Sequence, residues 1–546
     1  MVSRRWWMLG LGLLALAVGP GLTRAAWPDY FPKESPPDPA AEHRDALALA
    51  AKIDQVVAAR WSARGVQPTE PADDAEFMRR LSLDLSGRIP RVSEVRDFLG
   101  DKATDKRQRL VGQLLESPDY VNHFTNTWRA LMLPENNNEQ TRFVVPGFES
   151  WLRKQLQDNV RYDKMVRDLL TTTVANNQRQ LVVPGGPNQG EPSALGYYQA
   201  NELKPENLAA STSRLFLGVK LECAQCHNHP FARWSRQQFW QYAAFFSGIQ
   251  AEGQGGVFAG AKDKKDQKQI KIPGTDKVVK ARFLDGKKPG WKSGVAARKT
   301  LADWMTAADN PYFARAAANR MWAHFFGVGL IEPVDDLGGA NPASHPELLD
   351  ELARQLAAHR FDLKFLARAI ASSRTYQLSS GGTPSGPDDP RLFARMPVKG
   401  LSPEQLFDSL ARATGYREPP RDGRVFFFGA PSARDEFLAK FATQDKRTEV
   451  QTSILQALAL MNGKFIDDAT SVERSETLAA VADAPFLEAD GRVEALFLAT
   501  LSRPPTPQEA ARFGAYVRRA GSGGEKKALG DVFWALLNSS EFILNH

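Results

Sequence analysis

Two thiols and an imidazole fall within five residues, Cys223-Ala224-Gln225-Cys226-His227, inside the stretch LECAQCHNHPFARW (221–234). These are the only two cysteines of the chain. Thiols three positions apart can each join a vinyl group of one porphyrin. The next residue can then set its imidazole beneath the iron, which is the pattern of covalent haem c with His227 as proximal ligand. Other chemistries stay open for the same residues. Cys223 and Cys226 can close a disulfide or act as a dithiol pair. Cys223, Cys226, His227 and His229 are also suitable zinc ligand types, although four ligands within seven residues, two of them adjacent, make a tetrahedron hard to close. Inert, packed thiols are the blandest alternative.

A second axial iron ligand must come from elsewhere in the chain. The candidates are His324 in ANRMWAHFFG, His345 at a helix start, and His123 in SPDYVNHFTNTW. Each is equally well explained as a polar contact of a packed helix that needs no cofactor. His229 lies too near His227 to reach the opposite face of the macrocycle. No G-x-S-x-G elbow, H-E-x-x-H pair, phosphate loop or dinucleotide fingerprint is present, so hydrolase, kinase and dinucleotide-enzyme readings have no support. The carboxylates are scattered, and none pairs off as acid and base.

The elements that must position this motif are mainly helical. With 546 residues, 42% hydrophobic and 24% charged, the chain can bury sizeable cores in more than one domain. Arg4 and Arg5, the apolar run 6–18 and small residues near Ala25 read as a signal peptide over 1–26, which implies export to the periplasm or cell envelope. No later stretch is apolar enough to span a membrane once the signal is removed. A Pro-rich linker is expected over 27–44, then a helical domain carrying the Cys motif over 45–250. A basic Gly/Lys-rich junction with a β-hairpin follows over 251–298, and a second helical domain over 299–546. Ser235 is the expected cap of the aromatic helix after the motif. Ser344 with Glu347 and Thr506 with Glu509 fit capping boxes.

The net charge of +7 is concentrated rather than spread. Residues 261–299 hold 13 Lys/Arg against four Asp, and the remainder of the mature chain is slightly acidic. A solvated basic loop accounts for this, and no nucleic-acid motif accompanies it.

Several segments resemble known families. FMRRLSLDLSGRIPRVSEVRDFL (77–99), WLRKQLQDNVRYDKMVRDLLT (151–171) and FLGVKLECAQCHNHPFARWSRQQFWQYAAFF (216–246) resemble the planctomycete-type cytochrome-like domain of unknown function. NPYFARAAANRMWAHFFGVGLIEPVDDLGGANPASHPELLDELA (310–353), ASSRTYQLSS, QALALMNG, LSRPPTPQE and ALLNSSEF resemble its habitual C-terminal partner domain. The resemblance implies an exported protein in the short form, without an added N-terminal cytochrome module. It also implies that Cys223, Cys226 and His227 are the basis of the cytochrome-like label. Arg91 stands where that family has a helix-capping Thr, a loss of about 1 kcal/mol. Two functions are therefore expected as alternatives. One is a haem c protein with an electron-transfer or redox role. The other is a cell-envelope binding or assembly protein, with protein or glycan partners, whose motif is a disulfide or a Zn-stabilised loop.

Overall fold

The computed structural model describes residues 38–133, 144–174, 191–230, 232–252, 260–337, 341–387, 389–418, 432–441 and 464–546. The signal peptide over 1–26, most of the Pro-rich linker and the segment QALALMNG lie outside the described residues. The protein is mainly α, with 22 helices and three two-stranded antiparallel sheets among those residues.

The expected linker gives way to helix six residues early, at Pro39–Arg64. Asp38 accepts a hydrogen bond from the Ala40 N–H (3.0 Å), and Pro39 occupies the first turn, where a missing N–H costs nothing. Ser235 caps helix Arg236–Ala243 in a full capping box with Gln238, and Thr506 does the same with Glu509 for helix Pro507–Arg519. Ser344 does not cap. Pro346 takes the first helical position, so His345 becomes the cap residue, and the Ser344 hydroxyl meets His345 Nδ1 at 3.0 Å instead. At Arg91, which has no acceptor to offer, only half a box survives: the Glu94 carboxylate accepts from the Arg91 N–H at 2.8 Å.

Two cores organise the helices. The first joins Ile53, Phe124 and Leu208 to Leu301, Phe313, Trp322, Leu349 and Leu366. Residues on both sides of 298/299 therefore share one interior, and helix Pro39–Arg64 packs along helix Leu363–Ser372. The second core is built from 401–543, with Leu83 and Ile89 reaching into it.

Helix Asp74–Ser86 welds the two. Every residue from Phe77 to Ser86 is buried, two arginines and an aspartate included. Arg79 donates to the carbonyls of Thr500 and Phe542 (both 2.9 Å), and Arg80 to those of Tyr376 (2.7 Å) and Leu378 (2.9 Å). Asp84 takes the Lys399 ammonium at 2.7 Å, the Tyr376 hydroxyl at 2.9 Å and the Asn545 amide at 2.8 Å. Buried charges survive only when paired and hydrogen-bonded this fully.

The basic junction packs Ile272, Val279, Ala281 and Leu284 into the first core. The hairpin expected there pairs Gln269–Lys271 with Val278–Lys280. A second short pair, Ile249–Glu252 with Gly260–Asp263, was not foreseen, because its Gly-rich sequence carries no alternating pattern.

Candidate functional site

Helix Pro205–Leu217 delivers the chain to the Cys motif and stops at Gly218, whose φ of 61° is left-handed. A side chain there would also meet Leu337 Cδ1 at 2.5 Å, so only glycine fits both demands. The Gly218 carbonyl accepts from the Leu337 N–H at 2.7 Å, which fixes the exit direction. Leu221 and Ala224 are fully buried and pull the 3₁₀ turn Glu222–Ala224 against the first core. Cys223 and Cys226, on either side of that plug, are exposed and carry free thiols.

The following helix holds the loop from below. Trp240 Nε1 donates to the Gln225 carbonyl at 3.0 Å, and Arg236 Nε donates to the same oxygen at 3.3 Å. The Asn228 side chain accepts from the Arg236 N–H at 2.9 Å. His229 N–H donates to the Trp234 carbonyl at 2.8 Å, and the Ala232 N–H donates to His229 Nδ1 at 2.9 Å. The loop is thereby clipped closed over buried Trp234.

His227 is exposed, and its Nδ1 lies 2.7 Å from the Asn228 carbonyl oxygen. A carbonyl can only accept, so Nδ1 carries a proton, which leaves Nε2 as the ring nitrogen able to ligate. This is the arrangement that orients a ligating imidazole. Beside the motif, burial raises the Glu222 carboxyl above the usual carboxylate range, against the pull of Arg214 and Lys220. Its Oε2 is buried without a hydrogen-bond partner.

The other histidines have different surroundings. His324 Nε2 sits 2.8 Å from the Asp84 carbonyl oxygen, so that nitrogen is a donor and offers no lone pair. His123 lies near it at a tilt, ring centres 5.6 Å apart, and fills the space beside Gly87. His345 lies over Phe393, and burial, with Arg60 nearby, pushes its pKa down to about 4. Among the described residues no three or more His, Cys, Asp or Glu side chains are placed to hold a metal ion. Cys223, Cys226, His227 and His229 are thus not gathered as a ready zinc site, and His229 turns Nδ1 into its own loop.

The porphyrin fit is divided. Both thiols and the imidazole are accessible with the correct tautomer, while the wall behind them is filled by Leu221, Ala224 and Trp240.

Sequence reasoning missed the Asn228 carbonyl, the Arg236 clamp and the Asp84 network. Only the last left a signal, in the charges of RRLSLDLS lying among leucines with no polar face to put them on.

Residues 52–251 match the family model PSCyt2, "Protein of unknown function (DUF1549)", and residues 297–451 match PSD1, "Protein of unknown function (DUF1553)". The chain belongs to this two-domain group. No curated protein and no solved structure matches it. The PSCyt2 segment ends just beyond the aromatic helix that clamps the motif. The PSD1 segment begins at helix Ala297–Met305, which packs against helix Tyr162–Thr171 of the PSCyt2 segment.

Proposed function

We propose that this PSCyt2–PSD1 protein is an exported haem c protein with an electron-transfer or redox role, Cys223 and Cys226 being the thioether anchors and His227 the proximal ligand. The observation that carries the reading is the 2.7 Å approach of His227 Nδ1 to the Asn228 carbonyl oxygen, beside two free, exposed thiols. Each thiol would add across one vinyl C=C, sulfur to one carbon and proton to the other, with no leaving group. The bound haem would supply the one-electron couple. The chain's own residues do the rest. Asn228 orients the ring, and Ala224 and Trp240 keep the loop from moving. Export rests on the pattern of residues 1–26, and no helix among the described residues is long and apolar enough to cross a membrane.

The filled wall behind the motif favours a second reading, an envelope binding or assembly protein whose motif is a disulfide or a metal-stabilised loop. One experiment separates them: mass spectrometry and absorbance of the protein made in an exporting host with a cytochrome c maturation system. A gain of one haem with a Soret band that survives denaturation supports the first reading. A colourless product lighter by two hydrogens, or one that loses a metal to chelator, supports the second and ends the first.

A further inference from the structure

The basic junction has no task in the haem reading, yet it is not built like a solvated loop. Of its four aspartates, three are engaged locally: Asp263 with Arg298, Asp276 with Lys271 at 2.9 Å, and Asp285 with Lys287 at 3.3 Å. The positive excess is therefore left to the surface. Strand alternation sorts the hairpin into two faces. Ile272, Val279 and Ala281 are buried on the side toward helix Arg236–Ala243, whereas Lys271, Lys277 and Lys280 are exposed.

The same basic junction exposes two large apolar side chains, Val278 at 53% and Trp291 at 38%. They are two of only six such residues exposed among the described ones. Lys268 Nζ sits 4.9 Å from the Trp291 ring centre. Solvation alone gives no reason to expose a tryptophan, but a partly covered aromatic with an ammonium beside it is the composition of a protein-binding hot spot. The place matters as much as the composition. Arg236 donates to the Pro273 carbonyl in the hairpin turn at 2.6 Å and to the Gln225 carbonyl inside the Cys motif at 3.3 Å. One guanidinium thus joins the two, and Lys277 reaches Gln237 at 2.7 Å on the same helix.

We infer that the hairpin face of residues 261–299 docks an acidic protein and holds it beside the Cys223–His227 loop. A sulfated polysaccharide needs charge but not Trp291. A lipid surface needs a continuous apolar face, whereas Val278 and Trp291 belong to separate segments set among lysines. A carboxylate-rich protein face complements both features and would be steered in by charge. Docking itself does not need the haem. Only its use for electron delivery rests on the function proposed above.

The test uses the full chain, with and without haem, titrated with poly-L-glutamate, dextran sulfate, and vesicles of phosphatidylglycerol and phosphatidylcholine. Poly-L-glutamate should bind both forms. The triple reversal K271E/K277E/K280E should weaken it by about tenfold or more at low salt. Trp291→Ala should weaken it severalfold without changing the salt dependence, and K526E/K527E, remote in sequence, should change nothing. The inference is overturned if the triple reversal behaves like that control, if Trp291→Ala has no effect, or if dextran sulfate or vesicles bind more tightly than poly-L-glutamate. Lost docking with an intact Soret band would sink the docking surface alone. A colourless chain that still binds would sink the haem reading alone.

Discussion

Asp84 and the Cys223–His227 loop show two opposite ways to hold reactive groups. Around Asp84 a carboxylate, an ammonium, a phenol and an amide are wholly buried, and each satisfies another. Burial pushes the Tyr376 hydroxyl well above its ordinary pKa, so it stays a proton donor to Asp84. Around Cys226 the backbone is pinned by Trp240 and Arg236, while the thiols and the imidazole point to water. The first arrangement uses polar groups to join two cores and leaves only Asn545 Oδ1 without a partner. The second keeps polar groups available and takes its rigidity from its neighbours. Completeness of pairing, more than residue type, separates a weld from a site.

The contrast breaks first at Asp84. Asp84→Ala strands the Lys399 ammonium in the interior, a loss of about 3–5 kcal/mol, read as a lowered denaturation midpoint. A loss below about 1 kcal/mol would show that the weld is decorative.

His345 gives the next largest effect, and its sign follows from burial. Its pKa falls from the ordinary 6.5 to about 4 in the fold, so between those values the unfolded chain binds the proton and the folded chain does not. Stability is full above pH 6.5 and declines as the pH drops toward 4. His345→Asn should flatten that part of the pH–stability curve, and an unchanged slope refutes the assignment.

Ser235→Ala removes the cap of the clamping helix and should cost about 1 kcal/mol, with hydrogen exchange rising first at the Trp240 indole and the neighbouring amides. The smallest effect belongs to the thiols. Cys223→Ser with Cys226→Ser should shift stability by no more than about 0.5 kcal/mol while abolishing any covalent haem. A large destabilisation instead would mark the pair as structural.

The helices, and Ser235 and Thr506 as caps, could be read from the residues because a 3.6-residue apolar period and a Ser/Thr followed three later by Gln/Glu are local signals. Ser344 misled for an equally local reason: Pro346 moved the helix start by one residue, and the pattern alone does not weigh the proline. The sites were harder. CxxCH announces itself, but the Asn228 carbonyl that sets the His227 tautomer is a backbone atom and leaves no mark in sequence. The partners of Asp84 lie about 300 and 460 positions away, at Tyr376, Lys399 and Asn545. No window along the chain reaches that far. The single interior shared across 298/299 was invisible for the same reason, since the basic junction separates the two stretches in sequence and not in space.

That common interior bears on heredity. Leu208 from the PSCyt2 segment and Trp322 from the PSD1 segment belong to the same core, so neither segment carries a finished hydrophobic nucleus when a gene is split or recombined between them. Each half released alone would meet water with the surface its sibling should cover. Descent would then favour passing the two segments on together.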